Sequence, residues 1–153
     1  MMTPPAADAP DPRPVRALIR SADRAVLATA LGGWPYASLV LPAADADGAP
    51  LLLLSDLAEH ARNLKADPRC SLLFDGTQGL ADPLTGLRVT VMGEARPIAD
   101  KALVERFVAR HPSAELYAGF GDFRLYRMAV ARAHVVAGFG RIHWLDASAL
   151  LGP

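Results

Sequence analysis

Leu53-Leu54-Ser55-Asp56-Leu57-Ala58-Glu59-His60-Ala61-Arg62-Asn63-Leu64-Lys65-Ala66-Asp67-Pro68-Arg69 is the stretch whose reading decides the fold. An apolar strand, Pro50 to Ser55, runs into a helical segment, Leu57 to Ala66, which Asp67-Pro68 stops because the residue before a proline is pushed out of the helical region. The apolar run Cys70 to Phe74 then reads as a further strand. A helix that starts right after a strand presents unpaired N–H groups and the positive end of its dipole, a ready anion site. Ser55 adds a hydroxyl at the junction, and His60, Arg62 and Asn63 add donors one or two turns on. The plain alternative is a cap: Ser55 or Asp56 closes the helix while His60 and Arg62 face water.

Upstream, Val15 to Ala22 has apolar residues at 15, 18, 19 and 22, the spacing of one helical face, with Pro14 suited to a first turn. Ala25 to Ala30 and Tyr36 to Leu41 flank Gly32-Gly33-Trp34-Pro35, which predicts a β-hairpin. With Pro50 to Ser55, reached through the turn Asp45 to Gly48, these make a meander of three antiparallel strands. Downstream, Asp75 to Gly86 is a loop long enough to suggest a site or interface. Leu87 to Ile98 is the longest strand, with a bulge suggested by the interior Gly93, and Lys101 to Arg110 is an amphipathic helix. Phe123 to Met128 and Ala133 to Gly138 predict two more strands. The expected fold is mainly β (α+β): an antiparallel six- to seven-stranded barrel with two or three peripheral helices. Residues 1–13, rich in Pro, Ala and Asp, are expected to form a disordered arm and not a signal peptide, ahead of one domain spanning 14–153.

Composition narrows the function. The 153 residues carry 16 Lys+Arg against 16 Asp+Glu, and this balance argues against nucleic acid or an anionic membrane as partner. The longest apolar run, Pro50 to Leu54, is far shorter than the ~20 residues of a membrane helix. A single cysteine, Cys70, rules out an internal disulfide and suits a reducing, cytoplasmic setting.

Three other segments bear chemistry-capable residues. Gly33 to Ser38 opens a strand with small side chains against which a flat ligand could lie; an ordinary hairpin is the bland reading. Gly121-Asp122-Phe123 places an acid at a strand start, where an Asp more often satisfies a turn. Gly138-Phe139-Gly140 with His143 and Trp144 suggests backbone passing close to another strand or a planar group. His60, His111, His134 and His143 lack zinc-like companions, and no phosphate-binding loop, dinucleotide fingerprint or nucleophile elbow is present.

Taken together, residues 53–69, the Gly-X-Pro-X-X-Ser pattern before them, and the segments Cys70 to Phe74 and Arg88 to Gly93 after them resemble the FMN-binding split β-barrel family related to pyridoxamine 5′-phosphate oxidase. Gly121-Asp122-Phe123 and Gly138-Phe139-Gly140 resemble its haem-utilisation (HugZ-like) branch. The resemblance spans roughly residues 15 to 146 and implies a flavin-dependent oxidoreductase that holds FMN between two chains of a homodimer and serves a small-molecule substrate or redox partner. It implies that Ser38, Leu39 and Val40 line the isoalloxazine and ribityl chain. Ser55, Asp56 and Leu57 would approach the phosphate, with His60, Asn63 and Arg62 as further donors. No side chain is assigned a catalytic role.

The chain departs from the oxidases, which carry an arginine where Ser38 stands and a lysine near Ala43. That speaks against oxidation of pyridoxamine phosphate itself. A haem-binding or haem-degrading protein is the alternative, with His143 standing in for the tail histidine of that branch. A cofactor-free dimerisation or regulatory module is the alternative of another class.

Overall fold

The computed structural model describes residues 10–153. The first nine positions of the expected arm at 1–13 lie outside the described residues. Helix α1 already begins at Arg13 and runs Arg13–Ser21, burying Val15 and Ile19.

Eight strands follow: β1 (Ala25–Leu31), β2 (Trp34–Val40), β3 (Pro42–Ala44), β4 (Pro50–Ser55), β5 (Arg69–Gly76), β6 (Leu87–Pro97), β7 (Phe123–Ala137) and β8 (Ile142–Asp146). Helices α2 (Glu59–Ala66), α3 (Lys101–Arg110) and α4 (Ala147–Leu150) lie between and after them. All strand pairs are antiparallel, in the order β2-β1-β5-β6-β7-β4-β3, with β8 added to β7.

That order closes the barrel. β2 and β3 sit at opposite ends of the path, yet only Leu41 separates them in the chain. Consecutive Cα atoms are ~3.8 Å apart, so the two ends of the sheet cannot lie far from each other. The sheet must curl until its edges meet, with β2 and β3 as one kinked strand. A mainly β split barrel with peripheral helices is what the sequence implies.

Local chemistry fixes the elements. β1 and β2 are joined by Gly32-Gly33 with φ of 54° and 85°, the left-handed conformation a two-residue hairpin requires. β4 is buried on both faces: Leu52 and Leu54 enter the barrel core, whereas Leu51 and Leu53 pack with Phe107 of α3 and with Ala114. This is why it reads as an unbroken apolar run. Asp100 caps α3, its side chain accepting from the Leu103 N–H at 3.2 Å. At the C-terminal end of α3, the Nε2–H of the buried His111 donates to the Pro42 carbonyl at 2.6 Å and pins the helix to β3.

Several expectations are corrected. The two strands expected at 123–128 and 133–138 form one, β7, whose first half pairs with β4 and whose second half pairs with β8. The bulge falls beside Gly93 as expected, but the extra residue is Ala131 of β7. The three-strand meander fails at its third member, since β4 pairs with β3 and β7 and not with β2. Helix α2 starts at Glu59 and not Leu57, and the loop expected over 75–86 contains the end of β5 and a short 3₁₀ turn, Pro83–Thr85.

One face of the sheet carries no cover in the single chain. Leu39, Val26, Leu73 and Thr90 stand in one cross-strand row over β2, β1, β5 and β6; Ala37, Ala28, Ser71 and Met92 form the next. Among the described residues, no helix is long and apolar enough to cross a membrane.

Candidate functional site

The junction between β4 and α2 divides the residues singled out in the sequence into groups. The first gathers at a cleft of about 340 Å³, where Leu39, Val40 and Ser55 meet His60, Tyr117 and Phe123. Its walls are mostly aliphatic and aromatic. The Tyr117 and Phe123 rings pack with centroids 4.7 Å apart. At its polar end His60 lines the wall and is backed by Ser38, whose Oγ lies 3.1 Å from His60 Nδ1. Burial pushes the His60 imidazole below its ordinary pKa, so the neutral ring is favoured. Leu39 is 67% exposed and offers an apolar face, whereas the Val40 side chain is buried and can offer only backbone.

β2 ends the pairing path, so one side of its backbone makes no ladder bonds. Beside His60, the N-cap of α2 is Ala58, which has no side chain to close the helix. The first-turn N–H groups of α2 therefore lack a side-chain cap.

Ser55 and Asp56 are engaged by the protein itself. The Ser55 hydroxyl donates to Asp122 Oδ2 at 2.6 Å and accepts the Leu57 N–H at 3.1 Å. The Asp56 N–H donates to the Asp122 carbonyl at 2.7 Å, and the Ala58 N–H to the Ser55 carbonyl at 3.0 Å. The turn is thus held by Asp122, the role a strand-start acid more often has. Asp56 carries its carboxylate to Arg124, whose Nε reaches both oxygens at 3.0 Å. The exposed Leu57 brings no polar group. In this structure the donors of Ser55, Asp56 and Leu57 are engaged within the turn and not turned to the cleft.

Asn63, too, is engaged by the protein itself. Its side chain is buried and contacts Thr29 Oγ1 of β1 at 3.0 Å. In the amide orientation that satisfies both ends, Oδ1 accepts from Thr29 while Nδ2 donates to the Glu59 carbonyl at 3.2 Å and to Glu59 Oε1 at 3.0 Å. Asn63 therefore ties α2 to the barrel. Arg62 points away from the cleft, into a second cavity shared with Asp56 and Arg124, and lies 3.7 Å from Glu59.

Elsewhere, His143 has a buried Nε2 with no hydrogen-bond partner among the described residues, opposite Val135 in the β7–β8 pair. His134 and Trp144 rings lie 4.7 Å apart, with the Arg132 guanidinium 4.1 Å over the indole. Cys70 is buried, and desolvation pushes its thiol up to about 11. Among the described residues, no three His, Cys, Asp or Glu side chains come together as a metal site. Of the aromatic wall, Phe123 stood in a segment singled out from the sequence, whereas Phe107 and Tyr117 were not assigned to the site. The local signal for Phe107 is the apolar face of α3; Tyr117 has none.

Comparison with known proteins gives these geometries a context. Residues 12–137 match the family described as pyridoxamine 5′-phosphate oxidase. The chain is 40% identical over 111 residues to "Non-canonical heme oxygenase HOZ, chloroplastic" of Arabidopsis thaliana, covering 69% of this chain and 33% of that protein. It is similar to a heme binding protein of Mycobacterium smegmatis, with 31% identity, a TM-score of 0.84, and coverage of 95% of this chain and 61% of the other. A protein of unknown function from Agrobacterium tumefaciens superposes with a TM-score of 0.82 at 28% identity, covering 100% and 65%. The chain thus spans about a third of the plant protein and under two thirds of the two bacterial chains.

Proposed function

The chain belongs to the pyridoxamine 5′-phosphate oxidase family, and from that premise we propose that it is a flavoprotein of this type that holds FMN in the cleft beside β2. The Ser38–His60 hydrogen bond at the polar end of an otherwise apolar cleft carries the reading. The phosphate goes to that end, where the Ser38–His60 pair keeps one donor beyond the bond they share and the uncapped first turn of α2 adds its N–H groups. The isoalloxazine lies along Leu39 and Val40, its polar edge toward the unpaired backbone of β2, with Tyr117 and Phe123 on the far wall. FMN, when bound, supplies hydride and electron transfer to a small substrate or redox partner. The chain's own work is to bind the phosphate, orient the ring and keep water from it.

A second copy belongs to the proposal. The uncovered rows on β2, β1, β5 and β6 are apolar and small-residue-rich, the character of a surface buried by association. A homodimer sealing that face extends past Leu39 and covers the open side of the cleft. The lone buried Cys70 suits a reducing, cytoplasmic location. FMN fluorescence titration tests the reading: saturable quenching is expected, weakened about tenfold or more in His60→Ala, the scale of one charge-assisted hydrogen bond. Absence of saturable quenching refutes it.

Haem is the second reading, favoured by the two relatives named for heme. His60 suits it too. With Nδ1 tied to Ser38 and the neutral ring favoured, Nε2 is left as a possible iron ligand. His143, with its Nε2 buried, suits it less well. A Soret band formed with haemin and changed by His60→Ala but not by His143→Ala supports this reading over FMN.

A further inference from the structure

We propose that the cavity between α2, β6 and β7 is a second binding site, separate from the cofactor cleft, for a small phosphorylated anion. The cavity measures about 730 Å³, and its rim brings together Arg62 and Lys65 of α2, Arg96 of β6 and Arg124 of β7. Arg62 and Lys65 are three residues apart, so they share one helix face, turned away from the buried Asn63 and Leu64. Arg96 and Arg124 arrive from strands remote in sequence.

Three of the four cations already have acidic neighbours: Glu59 at 3.7 Å from Arg62, Glu94 at 3.1 Å from Arg96, and Asp56 at 3.0 Å from Arg124. These pairs are largely exposed, and such pairs hold weakly, so each guanidinium is free to turn to a stronger acceptor. Lys65 makes no ion pair among the described residues.

Tyr126 separates this cavity from an ordinary solvated charge cluster. It lines the same cavity, its residue is only 4% exposed, and its ring is part of the barrel core. Its hydroxyl makes no hydrogen bond to the described protein. Burial, with Asp56 nearby, pushes the phenol above its ordinary pKa, so it stays protonated as a donor. A phenol whose ring is held in the core and whose hydroxyl opens into a cavity ringed by cations fits an oxyanion with several acceptors. Guanidinium forks favour phosphoryl groups, which they grip through two parallel bonds. The limited volume and the balanced net charge of the chain favour a small molecule over a nucleic acid.

The site does not depend on which cofactor occupies the cleft. It is tested by calorimetric titration of the full chain with inorganic pyrophosphate at low ionic strength, with sulfate as the control for non-specific screening. One saturable pyrophosphate site per chain is expected to persist in His60→Ala, where the phosphate end of the cofactor cleft is disabled. Tyr126→Phe, which keeps the core packing, should weaken it about tenfold, and Lys65→Ala with Arg96→Ala about a hundredfold, the range for one and two charge-assisted bonds. The proposal is overturned if pyrophosphate binds no better than sulfate, if the Lys65/Arg96 double variant binds as the wild type does, or if His60→Ala abolishes binding. The last result would place the anion in the cofactor cleft. Near-unchanged thermal stability of both variants guards against loss through misfolding.

Discussion

Asn63 provides a decisive perturbation because the two roles open to it lead to opposite results. In the barrel it is buried, tying α2 to β1 through Thr29 and to its own helix through Glu59. Asn63→Ala removes these bonds and leaves the Thr29 hydroxyl, itself 5% exposed, without its partner. A buried polar group stripped of its partner costs about 1–3 kcal/mol, and with the lost amide contacts the total comes to about 2–4 kcal/mol. Urea denaturation followed by tryptophan fluorescence measures this as a lower midpoint at unchanged slope. Thr29→Val added to Asn63→Ala should restore part of the loss, because neither partner is then left unpaired, with a coupling of about 0.5–3 kcal/mol. Cofactor affinity, measured where the variant remains folded, should hardly move. Stability within about 0.5 kcal/mol of wild type, together with a collapse of cofactor affinity, would refute the reasoning and return Asn63 to the ligand.

Other outcomes follow from single observations. His60 has its pKa depressed by burial, so its contribution to stability is fully present above its unfolded value of about 6.5 and is lost as pH falls through the lower folded value. Melting temperature should drop from neutral toward acid pH, and His60→Gln should flatten that part of the profile. Cys70, with its thiol raised to about 11, should resist a disulfide exchange reagent at pH 8 in the folded protein and react promptly in urea. Gly93→Ala would drive a Cβ into the Ala129 carbonyl across the β6–β7 bulge, and should destabilise by about 1–3 kcal/mol in the same denaturation assay.

Much of the fold was legible where local pattern and tertiary context agree. β4 is apolar throughout because both faces are buried, and α3 carries its own cap and a clear apolar face. β3 was invisible because three residues hold no periodicity, and its pairing is created by barrel closure, a non-local event. β7 read as two strands because the extra residue Ala131 interrupts the alternation that two halves with different partners would otherwise share. At the site, Ser38 and His60 were both legible as polar residues in suggestive places, and the structure brings them into contact. The burial of Asn63 was not legible because polarity alone does not show which face of a helix a residue occupies. Its neighbour Leu64, on the buried side, was the available clue. The basic cavity left no trace in the sequence, since Arg96 and Arg124 stand far from Arg62 and Lys65 and meet them only through the sheet.

Native mass spectrometry of the protein reconstituted with FMN, and separately with haemin, tests the central claim that a flat cofactor sits in the β2 cleft under the cover of a second chain. The account predicts a mass of two chains carrying two cofactors, reduced to cofactor-poor dimers by His60→Ala. A single chain of 16.2 kDa without cofactor under both conditions would contradict it.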